Sequence, residues 1–133
     1  MSQENVELVQ KAYRAINDAD DEALLRLATS DIELDVAGLV LDQGTFHGSE
    51  GTRAYVEGLR EVWGESVRSH PEHFTEHGDR VLVMARTSAR GRTSGAAVDA
   101  RVAHVWTIRD GKIARFQTFR TREEALEAVG LRE

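Results

Sequence analysis

In the stretch RVAHVWTIRDGKI (residues 101–113), Val102, His104, Trp106 and Ile108 alternate with Ala103, Val105, Thr107 and Arg109. A period of two puts alternate side chains on opposite faces of a β-strand. His104 therefore shares a face with Val98, Ala100, Val102, Trp106 and Ile108, and it is the titratable group there. An imidazole in such a place is either a general acid or base facing a cavity, or a buried histidine held by one partner. Asp35, in IELDV, offers a second charge that takes a proton from a substrate if it turns into the same cavity. Strict alternation sets it opposite Ile32, Leu34 and Val36, on the solvated side. Tyr13 lies on the apolar stripe of a helix. It belongs to the core there, with a hydroxyl that needs a partner and is able to donate to a ligand. Val36, Trp63, Val102, Trp106 and Phe116 are the residues suited to a ligand-binding wall.

The other histidines point to less. His70, His73 and His77 fall in a strand-like segment. There, a spacing of four separates side chains by roughly 13 Å at about 3.3 Å per residue, too far to share a metal. His47 sits in a glycine-flanked loop. Asp99, Arg101, Arg86 and Arg115 read as cross-strand ion pairs on an outer sheet face. No metal site is expected.

These groups are set in a chain of 133 residues with net charge −6 and 41% hydrophobic residues. That suits one domain, spanning residues 1–133, with its own core. The acidic balance argues against a nucleic-acid partner, which needs a basic face. The chain has no cysteine, which excludes disulfides, thiolate metal sites and thiol nucleophiles. The opening MSQENVELVQ lacks a signal-peptide plan, and no apolar run approaches the roughly 20 residues of a membrane helix. A cytoplasmic protein without membrane contact is the expectation.

Val6, Val9, Tyr13 and Ile16 recur at helical spacing and predict a helix over about residues 4–18. DADDEALLRLA predicts a second, shorter helix capped by Asp20. IELDV is a strand, and AGLVLDQGTFHGSEG is a loop. Ser49 is placed to cap a third helix, with Tyr55, Leu59 and Val62 as its buried stripe and Trp63 beside it. From residue 66 the period changes to two. A strand bulged near Pro71 is followed by a turn at Gly78-Asp79, and then by strands over about 80–90, 96–109 and 112–120. Asp110-Gly111 marks a two-residue hairpin. TREEALEAVG closes the chain as a short helix with a Thr121–Glu124 capping box and Gly130 at its end. Helices first and a mostly antiparallel sheet later make an α+β protein. Three N-terminal helices would pack on a curved sheet, and a conical cavity would lie between them.

Three segments, ENVELVQKAYRAINDADDEALLRLATSDIELD, GTFHGSEGTRAYVEGL and HVWTIRDGKIARFQTFRTREEALEAVGL, together resemble the SnoaL-like branch of the nuclear transport factor 2-like (NTF2-like) superfamily. The resemblance implies a cone-shaped fold and no cofactor. It also implies a homodimer through the outer sheet face and a relationship to ketosteroid isomerases, polyketide cyclases, dehydratases and epoxide hydrolases. The isomerase pattern would place its tyrosine at Ala12, beside Tyr13, its base at Val36, beside Asp35, and its second carboxyl at His104. None of the three positions carries the isomerase's residue type. The arginine–aspartate pair of the epoxide hydrolases finds only Asp99 and Arg101, on the face opposite His104.

Three functions follow as expectations. One is a cofactor-independent isomerase, cyclase, dehydratase or hydrolase of a small apolar molecule, with His104 as acid or base, Asp35 as second charge and Tyr13 as donor. Another is a binding protein with the same pocket and no chemistry. The third is a dimerising module whose cone is filled and whose outer-face Ala103 and Val105 make the contact.

Overall fold

The computed structural model describes residues 2–36 and 44–130. The first part of the expected glycine-ended loop, residues 37–43, lies outside the described residues. Helix α1 spans Ser2–Asn17. Its stripe turns Val9 and Tyr13 fully into the core, with Ala12 between them. Ala19 follows with φ 56°, a left-handed turn that redirects the chain. Asp20 then caps α2 (Asp21–Arg26) by accepting from the Ala23 N–H at 3.1 Å. This six-residue helix contains no buried residue. It is tied down from outside, by Arg60 on Asp21 and Arg53 on Glu22.

Strand β1 (Ala28–Asp35) begins four residues earlier than its apolar alternation. β2 (Thr45–His47) pairs with it, Phe46 opposite Leu34. Three residues are too few to show a period, so the sequence reads them as loop. Helix α3 runs Gly48–Trp63, and here the structure corrects the expectation. His47 occupies the N-cap position without a side-chain bond, Ser49 lies inside the first turn, and the Thr52 hydroxyl donates to the Gly48 carbonyl. The buried face is also rotated. Val62 is 40% exposed, whereas Thr52 and Trp63 are buried and Tyr55 and Leu59 half-buried.

Four longer strands complete the sheet: β3 (Arg68–His77), β4 (Arg80–Arg90), β5 (Ala97–Arg109) and β6 (Lys112–Phe119). The order is β2-β1-β6-β5-β4-β3. All neighbours are antiparallel except β1 and β6. The register of β3 slips between Pro71 and His73, where proline removes a ladder donor. Asp110 and Gly111 both have positive φ, as a tight hairpin between β5 and β6 requires.

The two sheet faces have separate cores. On the concave face Val81, Val83, Ala85, Trp106 and Ile108 meet Val9, Ala12 and Tyr13 of α1. On the outer face Leu82, Ala103 and Val105 are covered by Ala125 and Leu126 of α4 (Arg122–Ala128). Thr121 caps α4 by accepting from the Glu124 N–H, and the Glu124 carboxylate reaches back to the Arg120 N–H. The box thus closes one residue earlier than the standard form. Around this helix the outer face is charged, with Arg86 on Asp99 and Arg101 on Glu72. No helix among the described residues is long and apolar enough to cross a membrane.

Candidate active site

An apolar cavity of about 220 Å3 lies between the concave face of the sheet and helices α2 and α3. Its walls include Val36, Trp63, Val102, Trp106 and Phe116, and the imidazole of His104 is set among them. The alternation of β5 explains this placement. Val102, His104 and Trp106 face inward, while Ala103 and Val105 face α4.

Tyr13 and His104, 91 positions apart, are joined by a buried hydrogen bond of 2.7 Å between the phenolic oxygen and Nδ1. The indole N–H of Trp106 donates to the same phenolic oxygen at 3.1 Å. The chemistry of the groups fixes the direction of this chain. Tryptophan can only donate, so the tyrosine oxygen accepts from it. The phenolic oxygen could also accept from an Nδ1–H, but its own hydrogen would then be buried without an acceptor among the described residues; satisfying it makes the phenolic O–H the donor and Nδ1 the unprotonated acceptor. The remaining proton of a neutral imidazole sits on Nε2. No protein group hydrogen-bonds Nε2 among the described residues, and it is not sealed from contact. In that tautomer His104, which lines the cavity, carries its single N–H on Nε2.

Burial holds both titratable groups neutral. It depresses the His104 pKa from 6.5 to about 4. It also pushes the Tyr13 hydroxyl well above its ordinary value, partly offset by the bond from Trp106. Aromatic packing fixes the geometry, with Tyr13 edge-on to Trp106 at 5.3 Å and Phe116 tilted 5.0 Å from His104 and 4.5 Å from Trp106.

The three chemistry-bearing residues expected from the sequence divide here. Tyr13 and His104 come together, although Tyr13 lies behind the imidazole and off the cavity wall. It bonds His104 rather than a ligand. Asp35 stands apart: its carboxylate faces Arg115 at 3.4 Å on the other side of β1, together with Glu33. Its neighbours Leu34 and Val36 take the inward positions. The carboxylates on the cavity wall are Asp21, already paired with Arg60, and Glu65. Thr118 and Tyr55 are site residues that sequence reasoning misses. Thr118 pairs directly with His104 across β5 and β6, and parity with Phe116 was the available signal. The Tyr55 hydroxyl, raised to about 12 by burial, lines the wall from α3.

A cone of helices on a curved sheet, hollow and lined by apolar side chains, defines a small-molecule-binding fold of the NTF2-like superfamily. Within it, the SnoaL-like domain profile matches residues 9–116, and the chain belongs to that family. Among similar solved structures is TerC, co-crystallised with polyporic acid. It is 27% identical, with a TM-score of 0.77, over 96% of this chain and 98% of that one. An NTF2-like protein from Burkholderia thailandensis E264 is 25% identical, with a TM-score of 0.78, over 94% of this chain and 96% of the other. Bal32a, from a soil-derived mobile gene cassette, has a TM-score of 0.80 at 20% identity, over 95% of both chains, and so is alike in fold. No curated protein sequence matches the chain.

Proposed function

We propose that the cone takes up a small, mainly apolar molecule and holds one of its acceptor oxygens on the Nε2–H of His104. The observation that carries this reading is the hydrogen-bonded chain from Trp106 through Tyr13 to His104, which engages Nδ1 and leaves Nε2 to carry the proton of the neutral imidazole. A neutral imidazole N–H aimed at a carbonyl oxygen stabilises negative charge that develops there. The chemistry it serves is proton transfer beside a carbonyl, cyclisation, dehydration or hydration. With a pKa of about 4, His104 is a weak base at neutral pH, so its role is donor rather than proton acceptor. Tyr13 is a positioning residue that fixes the tautomer. The co-crystal of TerC with polyporic acid supports a cyclic, oxygen-bearing occupant for a cone of this kind.

A second reading, binding without turnover, is favoured by one observation. The carboxylates on the wall are Asp21, held by Arg60, and Glu65, and neither replaces the base that the isomerase pattern would place at Val36. One experiment separates the two. A panel of apolar ketones, enones and quinones is titrated calorimetrically, and each mixture is then analysed by mass spectrometry. Binding that weakens at least tenfold in His104→Phe, with a chemically altered product, supports the catalytic reading. Binding with unaltered ligand supports the carrier reading. Binding indifferent to His104→Phe rejects the role assigned to the imidazole.

A further inference from the structure

The concave wall carries a second polar place besides His104. On β4, Val81, Val83 and Ala85 face the concave core, and alternation puts Thr87 on the same side. No register shift interrupts the pairing of β4 with β5, so Val83, Ala85 and Thr87 stand opposite His104, Val102 and Ala100. Ser69 of β3 pairs with Thr87 and shares its face. Ser69 and Thr87 both line the cavity, among the side chains of Ala89, Val98, Ala100 and Val102.

The two hydroxyls are bonded to each other at 3.2 Å. Asn17, at the end of α1, fixes the backbone of Ser69. Its Nδ2 donates to the Ser69 carbonyl at 2.9 Å, and its Oδ1 accepts from the Ser69 N–H at 2.8 Å. Each hydroxyl has one hydrogen and two acceptor lone pairs. The mutual bond uses one hydrogen and one lone pair. Neither hydroxyl has another partner among the described residues, so one hydrogen and several lone pairs remain unspent. Ser69 is buried and Thr87 half-buried. Set among alanines and valines, such a pair both donates to an oxygen and accepts from a hydroxyl. Both groups are neutral, so they match a neutral oxygen function rather than an ionised one.

We infer that the ligand is an elongated apolar molecule with a neutral oxygen at each end, one held on His104 and the other, a hydroxyl or carbonyl, on the Ser69–Thr87 pair. This rests on the pocket reading above and names the ligand's class. Ala100, opposite Thr87, lies four positions from His104 along β5. That is roughly 13 Å along the strand and one strand spacing of about 4.8 Å across it, so about 14 Å in all. With a hydrogen bond of about 3 Å at each end, roughly 8 Å separates the two ligand oxygens. Two fused six-membered rings with oxygens at opposite ends have that length.

The test uses 2-acetyl-6-hydroxynaphthalene and 2-acetyl-6-methylnaphthalene, which exchange a hydroxyl for a methyl of similar size at the end remote from the carbonyl. Each is titrated calorimetrically into the full-length protein. The hydroxy compound is expected to bind about fivefold more tightly, the advantage of one neutral hydrogen bond. Thr87→Val and Ser69→Ala should each reduce that preference. Together they should reverse it, because the ligand hydroxyl is then buried without a partner. Thr87→Ser keeps the pair and should keep the preference, with thermal unfolding checking that each variant is folded. His104→Phe should weaken both probes and leave the preference for the hydroxyl. Equal affinities in the unaltered protein, tighter binding of the methyl compound, or a preference that survives the double substitution overturns the inference and leaves the pocket reading standing. If neither probe binds, or if both bind indifferently to His104→Phe, the pocket reading falls and the inference with it.

Discussion

His104 makes the stability of the fold acid-sensitive. Its folded pKa, about 4, lies below the unfolded value of 6.5. Between those values the unfolded chain binds a proton that the folded chain refuses, so stability falls as pH falls from 6.5 toward 4 and levels off below. The integrated effect is on the order of 3 kcal/mol at about 1.4 kcal/mol per pH unit. Denaturant unfolding at a series of pH values should show this slope in the unaltered protein and lose it in His104→Leu. Direct NMR titration should find the imidazole neutral, with its proton on Nε2, at pH 6. Tyr13→Phe removes the bond to Nδ1 and leaves the Trp106 indole N–H without its acceptor. A loss of about 1–3 kcal/mol is expected from the orphaned buried groups. The same spectra should show the Nε2–H tautomer no longer dominant. A Tyr13→Phe protein of unchanged stability and unchanged tautomer would refute the relay.

At the scale of elements, specific polar ties that hold the short helices can be cut one at a time. α2 has no buried residue and is bound to α3 by the bidentate pair of Arg60 with Asp21, both bonds at 2.9 Å. Because both side chains are about a third exposed, water screens the pair. Arg60→Ala should cost only about 1 kcal/mol globally, yet hydrogen exchange over residues 21–26 should accelerate, since what remains to hold α2 is the half-buried packing of Leu24 and the exposed Arg53–Glu22 pair. α4 depends on its cap in a similar way. Thr121→Ala should cost about 1 kcal/mol in thermal or denaturant unfolding. The loss should show first as exposure of the outer face, because Ala125 and Leu126 cover Leu82 and Val105.

At the scale of the molecule, that cover decides what a partner copy could use. Ala103 and Val105, which the dimerising reading requires, are buried beneath α4 within the same chain. The homodimer implied by the family resemblance would therefore have to form on the strip beside α4. Arg86–Asp99 and Arg101–Glu72 lie exposed there. Association through such a strip should weaken between low and high salt in sedimentation equilibrium. Removing residues 121–133 should have the opposite effect, producing salt-insensitive self-association through the bared apolar face.

How much of this was legible beforehand depended on the range of the interaction. The α1 stripe, the Asp20 and Thr121 caps, the Pro71 irregularity, the Asp110-Gly111 hairpin and the two faces of β5 are governed by neighbours a few positions apart, and their residue types announce them. β2 and the rotated face of α3 were missed because three residues show no period and because Thr52 is buried only by what packs over it. Among the site residues, the inward position of His104 and the outward position of Asp35 followed from alternation on their own strands. That Tyr13 would meet His104 did not, because 91 positions separate them. Sequence alone determined the α+β order of elements, the family and the inventory of chemical groups. Tertiary structure decided that Trp106, Tyr13 and His104 form one hydrogen-bonded chain, and that burial holds the histidine neutral. Local sequence sets which way a side chain points, and only the closed fold sets what it meets and how much water it keeps.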